Sequence, residues 1–179
     1  NRLIGYEQAY TGYVHPDFAI VHSEYLINEW TGEIRVVESA LRGGGVYISS
    51  HLVPLSTGIG INDTLIDCAL GKEIDIQALL SRNVKKAAAY ICFYLPEGIV
   101  KSISGLEKIK GLPYVHQCDV SVEVGGAVKE MTYKGQRLGP VIVSGESRMD
   151  IEEKICTIQE ILEIKVQSEK GELLGIVWD

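Results

Sequence analysis

From Phe18 to Ala40 the chain passes through two stretches rich in Val, Ile and Tyr, 18–28 and 33–40, with the turn formers Asn28, Thr31 and Gly32 between them. The pattern predicts a β-hairpin. A turn centred on Thr31 sets Asn28 against Ile34, Leu26 against Val36 and Glu24 against Glu38. The face carrying the two glutamates also carries Phe18, Ile20, His22, Leu26, Ile34, Val36 and Ala40, and is mostly apolar. Beyond it, Val46–Leu55 reads as a helix broken near Pro54 and ended by Thr57-Gly58. A second helix over Thr64–Leu70 is expected to be capped by Asn62 or Asp63 and stopped by Gly71, with Leu65, Ile66, Ala69 and Leu70 inward. Ile74–Leu80 extends this region. The first seventeen residues sustain no period and read as a loop or the remnant of a strand, with His15 before Pro16 as a turn residue.

After Asn83 the character changes. Lys85–Leu95 turns strand-like toward its end, Pro96-Glu97-Gly98 makes a turn, and Ile99–Ile103 follows as a strand. Leu106–Ile109 is a short helix closed by Gly111, Tyr114–Val124 alternates as a strand, and Val128–Tyr133 and Pro140–Ser144 are strands around a Lys134-Gly135 turn. Asp150 is expected to cap a helix whose Ile151, Ile155, Ile158 and Leu162 share one face, and Leu173–Trp178 closes as a last strand. Strands followed by a packing helix predict a compact α+β unit. Gly125-Gly126 precedes no helix and reads as a turn or bulge rather than a phosphate loop.

The hairpin carries the candidate chemistry. Side chains directly opposed on neighbouring strands lie roughly 4.5–5.5 Å apart at Cβ, where like charges destabilise the pairing. Glu24 and Glu38 in that relation need a shared proton or a cation. A hard divalent ion such as Mg²⁺, which takes carboxylate oxygens together with substrate phosphates, is the functional reading. A slipped register that sends both glutamates to solvent is the competing one, and spacing alone does not choose between them. Directly after Glu38 come Arg42 and Gly43-Gly44-Gly45. Glycines let a backbone approach a ligand closely, and an arginine offers a planar fork to phosphate or carboxylate.

These residues resemble the ATP-grasp ligase superfamily. His22-Ser23-Glu24 is similar to that family's His-Thr-Glu-like triplet, and Glu38-Ser39-Ala40-Leu41-Arg42 is similar to its Glu-x-Asn-x-Arg strand end. Leu55-Ser56-Thr57-Gly58 and Ile61-Asn62-Asp63-Thr64-Leu65 resemble the helical segment that follows in amino-acid-ligase and biotin-carboxylase-like branches. Leu95-Pro96-Glu97-Gly98 and the stretch from Lys134 to Gly145 resemble the C-terminal domain of the same ligases. The resemblance implies the end of an ATP-grasp α+β subdomain over 1–82, built of a β-hairpin plus helices, followed by a small C-terminal α+β domain over 83–179. It implies ATP and Mg²⁺ (or Mn²⁺), with Glu24 and Glu38 as metal ligands and Arg42 contacting the transferred phosphate or acyl-phosphate. Ala40 departs from the pattern, standing where many members carry a metal-binding asparagine. The implied reaction joins a carboxylic acid to an amine through an acyl-phosphate, and carbamoyl-phosphate-synthase-like and dipeptide-ligase-like substrates both fit.

Composition narrows the partners. With 46% apolar residues, 179 residues suit one large or two small globular domains. A net charge of -7 disfavours nucleic acid or an anionic membrane as partner, and Arg82, Lys85 and Lys86 form the only basic cluster, read as a solvated helix start. Cys68, Cys92, Cys118 and Cys156 lack zinc-type spacing and sit among apolar neighbours, which reads as core filling in a reduced, cytoplasmic compartment. His51 has no second ligand one helical turn away and reads as a packed or exposed side chain. The longest apolar run, Ala87–Leu95, is too short to span a bilayer. The chain starts at Asn1, and its methionines are Met131 and Met149, so the sequence reads as the back end of an enzyme. On this reading its partner is the upstream ATP-grasp half of the same protein, without which it is inactive, and a homodimer is allowed for. The alternative is a non-catalytic binding or dimerisation module of ATP-grasp-like fold.

Overall fold

The computed structural model describes residues 2–14, 18–81 and 85–178. His15, Pro16, Arg82 and Asn83, and with them one expected turn and part of the basic cluster, lie outside the described residues. The chain divides into two compact units, residues 1–54 with 58–83 and residues 55–57 with 84–179.

The first unit opens with a helix, α1 (Arg2–Val14), where a loop or strand remnant is expected. Leu3, Glu7, Tyr10 and Thr11 are its half-buried positions, a helical stripe concealed in the sequence because Glu7 interrupts the apolar pattern. The stripe is completed by the hairpin: the Tyr25 hydroxyl donates to Glu7 Oε1, which raises the phenol pKa, and the Tyr6 and Tyr25 rings lie 6.4 Å apart. The hairpin strands are β1 (His22–Ile27) and β2 (Ile34–Ala40), antiparallel. Asn28 Oδ1 accepts from the Trp30 and Thr31 amides at 3.0 and 3.1 Å, and Gly32 closes the turn at φ +67°.

After the glycines, the expected single helix is two pieces: a π-helical turn, Ile48–Leu52, running into α2 (Val53–Thr57), which Gly58 ends in the left-handed conformation at φ +74°. α3 (Ile61–Ala69) starts one turn earlier than expected, with Gly60 as N-cap and no side-chain cap, so neither Asn62 nor Asp63 caps it. Its inner side is Ile61, Thr64, Leu65 and Cys68, whereas Ile66, Ala69 and Leu70 are exposed, contrary to expectation. α4 (Ile76–Ser81) follows, with the Asp75 carboxylate accepting from the Ala78 amide at 3.0 Å.

The second unit holds two four-stranded antiparallel sheets. Its elements are β3 (Ala87–Tyr94), β4 (Gly98–Ser104), α5 (Leu106–Lys110), β5 (Val115–Cys118), β6 (Ala127–Val128), β7 (Leu138–Gly145), α6 (Arg148–Ile161), β8 (Glu163–Gln167), β9 (Leu173–Leu174) and β10 (Val177–Trp178). One sheet has the order β10-β3-β7-β5 and the other β6-β4-β8-β9, with α6 packing on β7 and β3 and α5 on β5 and α6. β8 is absent from the sequence reading, yet Ile164 and Val166 are fully buried in the core while Glu163 is exposed. The expected strand over Tyr114–Val124 is regular only at Val115–Cys118, and Leu173–Trp178 splits into two short strands that join different sheets. Gly125 turns at φ +87°, and the Gly126 amide bonds back to the Glu123 carbonyl at 3.0 Å, a turn.

Ser147, not Asp150, caps α6: its Oγ accepts from the Asp150 amide at 3.2 Å. Asp150 sits at the third helical position and accepts from the Glu146 amide and from Lys154 Nζ, each at 2.8 Å. Ile91, Phe93, Val100, Val141, Val143, Ile151, Ile158, Ile164 and Val166 close one core. Burying each such side chain stabilises by about 1.5–3 kcal/mol. No helix among the described residues is long and apolar enough to cross a membrane.

Candidate functional site

The hairpin brings Glu24 and Glu38 directly opposite each other, with Ser23 against Ser39 and His22 against Ala40. Beyond Glu24 the ladder slips at a bulge, so Tyr25 faces Val36, Leu26 faces Arg35 and Ile27 faces Ile34. The pairing with Val36 expected for Leu26, and that with Ile34 expected for Asn28, are therefore displaced by one residue, while the acidic pair is kept. On the other face Ser23 and Ser39 share a 2.6 Å hydroxyl–hydroxyl hydrogen bond that holds the register at this point.

Both carboxylates are open to solvent, with 59% of the Glu24 side chain and 55% of the Glu38 side chain exposed. Each has a basic neighbour. Arg42 Nη2 lies 3.4 Å from Glu38 Oε1 and Nη1 donates to the Gly43 carbonyl at 3.0 Å, so the guanidinium folds back beside the strand end. His22 Nε2 lies 3.7 Å from Glu24 Oε1. Glu24, Glu38 and Arg42 thus share one end of the hairpin, as candidate ligands and candidate phosphate contact. Among the described residues no group of three or more metal-ligating side chains occurs, and Ala40 adds no oxygen. Two accessible carboxylates nonetheless fit Mg²⁺, which binds through one or two carboxylates, retained waters and substrate phosphates. Asp63, Asp67, Glu73 and Asp75 line a separate 310 Å³ cavity, and Asp67 is already paired with Lys72 at 2.6 Å.

The loop after Arg42 is built tightly, and sequence reasoning missed how. Val46 and Tyr47 adopt left-handed conformations, φ +49° and +64°, immediately before the π-helical turn. Strain of this kind costs about 1–3 kcal/mol per residue and persists only where surroundings enforce it. Ser49, a buried polar residue of this unit, donates to the Gly44 carbonyl at 3.1 Å. A Cβ at Gly43 would stand 2.5 Å from Ser49 Oγ, and one at Gly44 would stand 2.8 Å from Ile48 Cγ2. The run of three glycines was the visible signal; the buried serine that fixes them was not. His51 is half-buried against Tyr47, ring centroids 5.2 Å apart, with Ser50 Oγ 2.8 Å from its Nδ1. Cys68, Cys92 and Cys118 are half-buried, whereas Cys156 is exposed on α6 and fills no core, and burial pushes the Cys118 thiol up.

The chain is mixed α+β, with antiparallel sheets, an acidic hairpin and a tight glycine loop, and known proteins share this architecture. Residues 91–174 match the family described as L-amino acid ligase C-terminal domain 2. The crystal structure of an L-amino acid ligase from Bacillus licheniformis superposes with a TM-score of 0.74 at 19% identity, covering 93% of this chain and 40% of that one. Phosphoribosylglycinamide synthetase from Anaerococcus prevotii superposes with a TM-score of 0.62 at 18% identity, covering 80% of this chain and 36% of that one. The chain therefore spans well under half the length of these structures. A comparison with curated proteins finds no match. The matched stretch 91–174 is similar to that C-terminal domain, and the superpositions show a fold shared with these two proteins.

Proposed function

We propose that this chain supplies the acidic metal-binding edge and the C-terminal domain of an ATP-dependent carboxylate–amine ligase that works through an acyl-phosphate. The observation that carries the reading is the direct pairing of Glu24 with Glu38 beside Arg42 at one open end of the hairpin. In this reading Glu24 and Glu38 hold Mg²⁺ or Mn²⁺, which when bound neutralises charge on the ATP phosphates. Arg42, released from Glu38, orients the transferred phosphate with its planar fork. The carboxylate substrate attacks the γ-phosphorus, ADP leaves, and the amine then displaces phosphate from the acyl-phosphate. Gly43 and Gly44 let the loop after Arg42 pack against Ser49 and Ile48, where any Cβ would collide.

The remainder of the nucleotide site belongs, on this reading, to a further part of the same enzyme. The uncovered apolar side chains of the first unit, Leu26, Ile27, Trp30, Val36 and Val37 among them, support such a covering partner. The chain alone is then inactive. A cytoplasmic setting accords with the free thiols of Cys68, Cys118 and Cys156.

Calorimetry of ATP binding by the full-length protein, with and without Mg²⁺, tests the reading. Glu38→Gln is expected to abolish the Mg²⁺-dependent part of the affinity. Persistence of that part in the variant, or its absence from the wild type, would instead point to a binding or dimerisation module.

A further inference from the structure

We propose that His22 is a positioning residue for Glu24, a spacer that transmits the conformation of the glycine loop to the metal-binding carboxylate. The inference rests on the reading of Glu24 and Glu38 as the metal-binding pair. His22 and Glu24 are two residues apart on β1 and so project from the same face. The imidazole is the more enclosed of the two, with 21% of its side chain exposed against 59% for Glu24. Its Nε2 faces Glu24 Oε1 at 3.7 Å, beyond hydrogen-bond length but close enough to restrict where the carboxylate can turn.

The other side of the ring meets the loop. A Cβ built at Gly44 would lie 3.0 Å from His22 Nδ1, so the imidazole occupies the space a side chain at position 44 would need. The Gly44 carbonyl is in turn fixed by buried Ser49 at 3.1 Å. Ala40, the residue paired with His22 across the strands, is too small to confine the ring from that side. Ser49, Gly44, His22 and Glu24 therefore stand one beside the next, from the loop that would meet substrate to one of the two proposed ligands. Hydrogen-bonded partners of a ligating carboxylate are worth on the order of 10–100-fold in metal affinity, and a close imidazole without that bond belongs at the low end.

The test is Mn²⁺ binding by the full-length protein in the presence of ATP, followed by the electron paramagnetic resonance of free Mn²⁺. His22→Ala is expected to weaken Mn²⁺ binding about tenfold, the low end of that range. His22→Gln, which returns an amide donor toward Glu24, is expected to recover most of the loss. Gly44→Ala, which retains His22 but crowds its ring, should show a loss of the same sign. Metal-free ATP binding should be equal in the two His22 variants and the wild type. Wild-type Mn²⁺ affinity in His22→Ala, alongside its loss in Glu24→Gln, overturns the role of His22 and leaves the metal site standing. Wild-type Mn²⁺ affinity in Glu24→Gln and Glu38→Gln overturns the metal site and the positioning role with it. Should His22→Ala fail to fold, Gly44→Ala decides, since unaltered Mn²⁺ affinity there contradicts the proposed contact.

Discussion

The two units of this chain distribute their apolar residues in opposite ways. In the second, Phe93, Val100, Ile158 and Ile164 are fully enclosed between sheets and helix, and the exposed apolar side chains are scattered. In the first, no apolar side chain among the described residues is fully buried, and Trp30 stands 97% exposed at the hairpin tip. An isolated two-stranded hairpin is marginal in water. This one carries two opposed carboxylates as well. The second unit therefore commits its apolar residues to its own core, while the first leaves them uncovered, as the proposed ligand site and covering partner would require. A family match confined to 91–174 follows the same division.

The largest expected difference is in stability. Phe93→Ala in the second unit should cost about 3–5 kcal/mol by denaturant unfolding. Leu65→Ala, at a half-buried position of the first, should cost less than about 2 kcal/mol, and a larger value would mean that the first unit has a core of its own. The next effect has the opposite sign. Glu24→Gln removes a like charge from a directly opposed pair and should stabilise the hairpin by about 0.2–1 kcal/mol, read by hydrogen exchange of its amides. A destabilised hairpin would show that the pair is compensated without a cation.

Acid sharpens the comparison from the other side. The hydrogen bond from Lys154, with the Glu146 amide second, holds the Asp150 carboxyl below its ordinary range. A group with a depressed folded pKa contributes stability above its unfolded pKa and loses it as pH falls through the folded value. The second unit should therefore weaken as pH drops below the ordinary carboxylate range, and Asp150→Asn should flatten that dependence in denaturation midpoints across a pH series. The smallest effect is expected at Trp30. Trp30→Ala should change the stability of this chain alone by no more than about 0.5 kcal/mol. The same substitution should cost more than that in the full-length protein if a further segment covers the hairpin.

The acidic pair was legible in the sequence because alternation and turn residues set the register, and the register held up to Glu24 and Glu38. It failed beyond them because a bulge inserts one residue into β2, and nothing in Ile34-Arg35-Val36-Val37 marks which residue is extra. α1 escaped notice because its stripe depends on a tertiary bond between Glu7 and Tyr25. β8 escaped because Glu-Ile-Lys-Val-Gln follows α6 without a glycine or proline to announce the change of period. The caps at Gly60 and Ser147 were misplaced by two to three residues, where several polar candidates lie side by side. Glu24, Glu38 and Arg42 could be named from sequence, whereas the link through Ser49, Gly44 and His22 required coordinates.

The most direct measurement is the anomalous scattering of Mn²⁺ in crystals of the full-length protein grown with a non-hydrolysable ATP analogue. The account predicts a peak bridging the Glu24 and Glu38 carboxylates and the analogue's phosphates, with the Arg42 guanidinium turned toward the terminal phosphate. A peak elsewhere, or a bound analogue with both glutamates facing solvent, would contradict it.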